Sequence, residues 1–286
     1  MSVASIPHLL SSELVHHITT NQENLNLQSL FGSSKYSAGI TKRVVIASGV
    51  TIGATNTSNY ALDIPSGFGG KIILVNQGSI LAAGGAANSG TGGSALNAGA
   101  SNIFIDNRGT ISGGGGGGGV GGNGGGGYYT ESGSSYWADT VCSGNSMPCY
   151  TLNPPFPCNC GDNCRAIRKC GDGINYTLWE KQCTYCYTNT FYTSGGTGGA
   201  GGRGQGYDAA ASSGTSGTAG GTNAGAGGTG GTGGSYGNNG DTGNSGANGN
   251  NGTGSAGTAG GLAGFYIVNN SNVTWIANGT RNGRVG

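Results

Sequence analysis

Gly225-Ala-Gly-Gly-Thr-Gly-Gly-Thr-Gly-Gly-Ser-Tyr-Gly-Asn-Asn-Gly-Asp-Thr-Gly-Asn-Ser-Gly-Ala-Asn-Gly-Asn-Asn-Gly252 holds glycine at every third residue without a break. The register runs through Gly225, Gly228, Gly231, Gly234, Gly237, Gly240, Gly243, Gly246, Gly249 and Gly252. Gly214, Gly217 and Gly220 precede it, and Gly254, Gly257 and Gly260 follow. A period of three fits neither the 3.6-residue helix nor the two-residue strand. It fits the polyproline II helix, with three residues per turn and about 3.1 Å of rise per residue. Collagen shares that period but needs abundant proline, and no proline follows Pro157. A flexible linker has no reason to keep such a register. The expectation is a bundle of packed polyglycine II helices over 194–264, with a first glycine-rich run at 113–127. One straight helix from Gly225 to Gly252 would extend roughly 80 Å, so the chain must double back. Steps such as Asn238-Asn239-Gly240-Asp241 suit such turns.

Composition narrows the function. Of 286 residues, 66 are glycine and only 8% are charged, against about 25% in a typical soluble domain. A net charge of +1 without a basic cluster argues against nucleic acid. No apolar run approaches the ~18 residues of a membrane span, and the N-terminus has neither the basic nor the apolar region of a secretory signal. Asn-x-Ser/Thr matches at Asn175, Asn272 and Asn278 are what an Asn- and Thr-rich chain produces by chance. Acidic residues do not pair at catalytic spacing, and no Gly-x-Ser-x-Gly elbow sits between a strand and a helix. The chain therefore reads as a protein without catalysis, cofactor or membrane insertion.

Residues 5–18 read as a short amphipathic helix, with Ile6, Leu9, Leu10, Leu14 and Ile18 on one stripe and Pro7 in the first turn. Leu25, Leu27, Leu30 and Phe31 form a second apolar cluster. Such a surface suits a protein partner, or packing against the strands that follow. His8, His16 and His17 have no acidic or cysteine partner at ligand spacing, so they read as solvated residues. Residues 41–112 are β-rich and repetitive. Leu74-Val-Asn-Gln-Gly-Ser-Ile80 and Ile105-Asp-Asn-Arg-Gly-Thr-Ile111 share apolar-x-Asn-x-Gly-x-Ile, and Val44–Ile52 alternates similarly. Ile267-Val-Asn-Asn-Ser-Asn-Val273 resembles a degenerate third copy. The repeats imply short strands joined at tight turns in a stacked architecture.

Residues 128–193 break the pattern. They hold all eight cysteines: Cys142, Cys149, Cys158, Cys160, Cys164, Cys170, Cys183 and Cys186. Dense, even cysteines in a short segment read as a disulfide framework whose pairing sequence cannot assign. A zinc site at Cys160, Cys164, Cys183 and Cys186 is the alternative. The insert also concentrates Tyr128, Tyr129, Tyr136, Trp137, Tyr150, Phe156, Trp179, Tyr185, Tyr187 and Tyr192. Rigid aromatic side chains dominate binding surfaces. With Tyr207 and Tyr236 in small loops of the glycine region, they are the candidate receptor-binding residues.

Gly264-Phe-Tyr-Ile-Val-Asn-Asn-Ser-Asn-Val-Thr-Trp-Ile-Ala-Asn-Gly-Thr-Arg-Asn-Gly-Arg284 resembles the closing motif of bacteriophage tail fibre adhesins of the T-even distal type. Ala47-Ser-Gly-Val-Thr-Ile-Gly53, Ala61-Leu-Asp-Ile64 and the unit from Leu74 to Gly85 add to the resemblance, which spans 41–127 and 195–286. It implies a protein at the distal tip of a trimeric tail fibre in the virion, whose glycine segments form a polyglycine II sandwich. Loops between those segments would contact a host outer-surface protein or glycan. Residues 1–40 would attach to the fibre, giving Ile6, Leu9, Leu10, Leu14, Ile18, Leu27, Leu30 and Phe31 a partner. The implied layout continues with β repeats (41–112), a first glycine run (113–127), the Cys-rich insert (128–193), a helix bundle (194–264) and a closing strand motif (265–286). The insert departs from the family pattern. An ice-binding protein and a fibre-tip scaffold without its own receptor are the alternative readings.

Overall fold

Alternation along Lys42-Arg-Val-Val-Ile46 and Ile72-Ile-Leu-Val-Asn76 buries every second side chain, as a strand with one face on a core requires, and Ile103-Phe-Ile-Asp-Asn107 follows the same pattern with Asp106 buried as well. The computed structural model describes residues 13–144, 163–170 and 176–286, with side chains given outside 134–186. Two compact units make up the chain: residues 1–127 with 193–286, and Tyr128–Tyr192.

In the larger unit the chain winds through five coils of three strands each. The first coil is β1 (Leu14–Ile18), β2 (Gln22–Glu23) and β3 (Leu25–Asn26). Two single-turn helices follow, α1 (Leu27–Phe31) and α2 (Ser33–Ser37). The second coil is β4 (Lys42–Ile46), β5 (Thr51–Gly53) and β6 (Leu62–Ile64), and the third is β7 (Ile72–Asn76), β8 (Ser79–Leu81) and β9 (Leu96–Ala98). The fourth opens with β10 (Ile103–Asn107) and β11 (Thr110–Ser112). Its third side comes much later. The glycine-rich body intervenes, with β12 (Gly127–Gly144), β13 (Asn163–Cys170) and β14 (Tyr176–Thr193) in the insert, before β15 (Phe265–Val268) completes the coil. The last coil is β16 (Val273–Ala277), β17 (Thr280–Asn282) and β18 (Arg284–Val285).

Corresponding strands stack into three five-stranded sheets in which the pairs are parallel. The body is thus a three-sided β-solenoid. Inward residues stack in columns: Val44, Leu74 and Ile105 on one side, Ile52, Ile80 and Ile111 on the second, Leu62, Leu96 and Ile267 on the third. All nine are fully buried. Each contributes about 1.5–3 kcal/mol by leaving water.

The parallel pairing corrects the expected tight hairpins. Asn76-Gln-Gly78 and Asn107-Arg-Gly109 are corners between two solenoid sides, not reversals. Both asparagines are buried, and Asn76 Nδ2 donates to Asn107 Oδ1 at 2.8 Å. Asn107 Nδ2 in turn donates to the Asn278 carbonyl at 2.7 Å. This ladder satisfies backbone groups that strand pairing leaves free at the corner. A Cβ on Gly109 would fall on the Gly78 carbonyl, hence the motif's glycine. The third copy of the motif is also relocated. Ile267–Val273 holds β15 and a 3-10 turn, whereas Trp275 stacks on Ile105 and Thr280 on Thr110.

The N-terminal helix is likewise corrected. Leu14–Ile18 is strand β1, parallel to β4, and among the described residues α-helix occurs only at α1 and α2. Ile18 and Leu27 are buried in the solenoid core, and Leu30 and Phe31 pack against it. Ile6, Leu9, Leu10 and His8 lie outside the described residues. Beside α2, Lys42 sits at an inward position, and its ammonium donates to the carbonyls of Ala38 (2.7 Å), Ile40 (3.0 Å) and Gly69 (2.7 Å). Burial pushes its pKa below the ordinary 10.5.

Between β11 and β15 the backbone lies in extended segments that bond to one another. Along 113–125 successive amides point to different neighbours. Gly115, Gly118, Gly121 and Gly124 donate to Gln205, Gly202, Gly199 and Gly196, while Gly116, Gly119, Gly122 and Gly125 donate to Asn238, Asp241, Asn244 and Ala247. Its carbonyls accept from Gly225, Gly228, Gly231 and Gly234, and from Ser255, Thr258, Gly261 and Gly264. This segment is therefore surrounded. The chain reverses at Ser235–Asn238 and Gly249–Gly252, and again at Gly221–Ala224, while the glycine register of 225–252 continues through the turns. At the outer segments hydroxyls stand in for missing carbonyls. Ser212, Thr215 and Thr218 accept the amides of Arg203, Ala200 and Thr197 at 2.8, 2.8 and 2.7 Å.

Two predictions follow from the packing. A Cβ on Gly118 would fall on the Gly231 carbonyl, but on Gly126 it meets nothing nearer than 3.5 Å. Gly118→Ala should cost about 3 kcal/mol or more, Gly126→Ala under about 0.5 kcal/mol; equal melting temperatures would refute close packing. Lys42→Met strands three carbonyls and should cost about 3 kcal/mol. Because the folded Lys42 binds a proton less readily than the unfolded one, its contribution to stability rises with pH across the window just below 10.5. The variant should lose that slope in pH-dependent denaturant titrations.

Candidate functional site: an aromatic ribbon and the turns at its root

The chain leaves the glycine body at Gly127 and re-enters it at Thr193. Gly125 and Gly126 lie at the end of the central segment opposite the solenoid, because that segment starts at Gly113 directly after β11. Turns gather there. Asn251 N donates to the Gly126 carbonyl and Asn250 N to the Asn223 carbonyl, both at 3.0 Å. Thr193 Oγ1 donates to the Thr222 carbonyl at 2.7 Å, and Asn223 turns the chain with a positive φ of 58°. The far end is therefore built from Gly221–Ala224, Gly249–Gly252 and the two residues where the insert begins and ends.

In the smaller unit, β12, β14 and β13 form one sheet in that order. Strand β13 is antiparallel to β14. Contacts between β12 and β14 step inward from both ends: Tyr128 with Tyr192, Tyr129 with Phe191, Ser132 with Thr188, then Tyr187 over Gly133. Pairs that step this way make an antiparallel ribbon. Tyr129 and Phe191 stack with centroids 5.2 Å apart, and Tyr128 and Tyr192 lie tilted at 6.5 Å on the opposite face. Both faces thus carry aromatic rings. Tyr192 is 73% exposed, Tyr187 48%, Phe191 39% and Tyr128 38%. Exposed rings paired across a ribbon are rigid contact area with little rotamer entropy left to lose.

The sequence-assigned site divides accordingly. Tyr128, Tyr129, Tyr187 and Tyr192 come together on the ribbon, and Phe191 belongs with them. Sequence reasoning missed Phe191, although Tyr187-x3-Phe191 at strand spacing would have placed it on one face. Tyr136, Trp137, Tyr150, Phe156, Trp179 and Tyr185 lie outside the residues whose side chains are described. So do all eight cysteines, with both the disulfide and the zinc readings; among the described residues no group of His, Cys, Asp or Glu could hold a metal.

Tyr207 and Tyr236 sit elsewhere. Tyr207 packs its ring on Gly53 of β5, donates N–H to the Ala82 carbonyl and places its hydroxyl 3.2 Å from Glu23 Oε1. Burial, then the bond to Glu23, raise its pKa. Tyr236 is half-buried, its amide 3.3 Å from Gln205 Oε1, and burial followed by the charge of Asp208 raises its pKa. Asp208 also pairs with Arg203 and accepts the Gly84 amide at 3.0 Å. Tyr207 thus ties the glycine body to the solenoid, while Tyr236 bonds within that body.

The C-terminal motif closes the solenoid. Trp275 and Arg281 occupy the inward columns above Ile105 and Ile111, and the Arg281 guanidinium lies 4.7 Å from the Trp275 ring centre and 5.4 Å from that of Tyr266. Trp275 Nε1 donates to Asn270 Oδ1 at 2.9 Å, and Arg284 stacks on Phe265 at 4.1 Å. At the other end, a shallow cleft of about 180 Å³ opens between His16, Gln22, Leu25 and Leu30. No helix of the described residues is long and apolar enough to cross a membrane.

Residues 13–177 match the family described as phage tail fibre adhesin Gp38. The chain belongs to that family. It is thus a bacteriophage tail fibre adhesin, and its place is the tail fibre of a virion. No curated protein matches it. Among solved structures it is similar to the gp37–gp38 adhesin tip complex of the bacteriophage S16 long tail fibre, with 17% identity and a TM-score of 0.44, over 96% of this chain and 82% of that one.

The adhesin's solenoid cap is open to test. Trp275→Ala should cost about 3 kcal/mol by uncovering the Ile105 column, and Arg281→Ala about 1 kcal/mol by removing the cation over two rings. Chemical denaturation measures both. An unchanged midpoint for Trp275→Ala would mean that the last coil does not cap the core.

Proposed function

We propose that this adhesin sits at the distal tip of its fibre and is a non-enzymatic receptor-binding protein. In this reading a polyglycine II scaffold holds the aromatic insert and the neighbouring turns against a host outer-surface protein or glycan. The observation that carries it is the ribbon on which Tyr128, Tyr187, Phe191 and Tyr192 stay exposed beside half-buried Tyr129, with rings on both faces. The polyglycine II assignment is supported by amides that reach the same neighbour at every third residue. Attachment to a trimeric fibre protein is assigned to the first coil and the residues before it. There the cleft beside His16 and Leu30 and the exposed Val15 offer apolar surface. Disulfides in the insert would form after release of the virion from the cell.

Replacing Tyr128, Tyr187, Phe191 and Tyr192 together by serine should abolish adsorption, and the purified variant should no longer block adsorption of intact phage. Its melting temperature should stay near that of the parent, since exposed sites away from special features change stability by about 0.5 kcal/mol or less. Normal adsorption by this variant would overturn the reading. Thiol counting on denatured virions should find no free cysteine; eight free thiols without bound metal would refute both the disulfide and the zinc arrangements.

A further inference from the structure

Six Asn-Gly steps occur in the chain: at Asn123, Asn239, Asn248, Asn251, Asn278 and Asn282. Such a step can modify itself. The glycine nitrogen attacks the asparagine Cγ, a new N–Cγ bond forms, and the Cγ–Nδ2 bond breaks, releasing ammonia that carries away the amide proton. Water then opens the cyclic imide at either carbonyl, leaving aspartate or, through the side chain, isoaspartate. No oxidant or reductant is needed. The reaction does require the side chain to swing over the next amide, so hydrogen bonds that pin either group slow it.

The structure pins most of the six. Asn123 Oδ1 accepts from Gly198 N at 3.0 Å while Gly124 N donates to the Gly196 carbonyl. Asn239 Oδ1 accepts from Ala263 N at 2.7 Å while Gly240 N donates to the Gly261 carbonyl. Asn248 Oδ1 accepts from Gly254 N at 2.9 Å. Asn282 Nδ2 donates to Ser112 Oγ at 3.0 Å. Asn278 has an unbonded side chain among the described residues, but its backbone carbonyl is held by Asn107 and Gly279 is wedged against that asparagine. Asn251 differs from all of these. Asn251 and Gly252 are exposed and no hydrogen bond to the Asn251 side chain occurs among the described residues, as for Asn278, but a Cβ on Gly252 would meet nothing nearer than Gly126 N at 3.2 Å, whereas one on Gly279 would fall 2.6 Å from Asn107 Nδ2.

We infer that Asn251 is a self-modification site, where the folded adhesin acquires a carboxylate by loss of ammonia. The change takes the formal net charge from +1 to zero. It falls in the turn that bonds to Gly126, one residue from where the insert begins. Isoaspartate there would also lengthen the backbone of a tight turn by one methylene.

The test is incubation of the purified full-length protein in mildly alkaline buffer, followed by peptide mapping for the gain of one mass unit at each step. In the folded protein Asn251 should convert about tenfold faster than Asn123, Asn239, Asn248 and Asn282, because those four must first open a side-chain hydrogen bond. In denaturant the six rates should converge. Asn251→Gln should remove the leading acidic species on isoelectric focusing. Equal rates in the folded protein, a faster pinned step, or an acidic species that survives Asn251→Gln would overturn the assignment.

Discussion

Everything in the larger unit depends on hydrogen bonds between backbones that approach too closely to admit a β-carbon. An extended segment makes no internal hydrogen bond, so its amides and carbonyls must be satisfied from outside. In the central segment, 113–125, that demand is met by neighbouring segments on successive sides. A bundle of this kind buries little apolar surface. It is held instead by a regular lattice of main-chain bonds, each worth roughly 1 kcal/mol net. The lattice tolerates side chains only where a segment faces outward, and there serine and threonine hydroxyls complete it.

A scaffold without a greasy core needs a firm base, and the solenoid supplies one. Its inward columns form a continuous apolar core. The corners are fixed by the Asn76–Asn107 ladder, and one end is sealed by Trp275, Arg281 and Tyr266. Tyr207, through Glu23 and Gly53, and Asp208, through the Gly84 amide, tie the glycine segments to this base. At the other end of the glycine segments lie the turns Gly221–Ala224 and Gly249–Gly252.

What could be read from sequence followed from how local each constraint is. Glycine every third residue registers a demand that recurs along the segment, so the need for reversals between Gly225 and Gly252 was legible in the sequence. Alternation in Val44–Ile52 and Leu74–Ile80 revealed strands, but period two does not say whether a partner runs parallel or antiparallel; tight hairpins were inferred where solenoid corners stand. Leu14 and Ile18 satisfy helical spacing as well as strand spacing, and tertiary pairing with β4 decided for the strand. The last repeat was misplaced because aligning on asparagine selects Ile267–Val273, whereas aligning on the corner glycine selects Gly279 and Thr280. Phe191 escaped because its partner, Tyr129, lies far away along the chain. The roles of Tyr207 and Tyr236 depended on which end of the bundle each turn occupies.

The insertion of residues 113–264 inside a single coil has a consequence for biosynthesis. Strands β10 and β16 are adjacent in space, but β16 leaves the ribosome only after the entire glycine body and insert. Contacts so distant in sequence are slow to form, because the intervening loop must close before they reward it. The first three coils can assemble early, whereas the fourth and fifth wait for the C-terminus. A truncated chain therefore ends on an unsealed row of strand edges and bare Ile105 and Ile111. Synthesis of residues 265–285 is the step that closes the last coils, because Trp275 and Arg281 then cover the Ile105 and Ile111 columns.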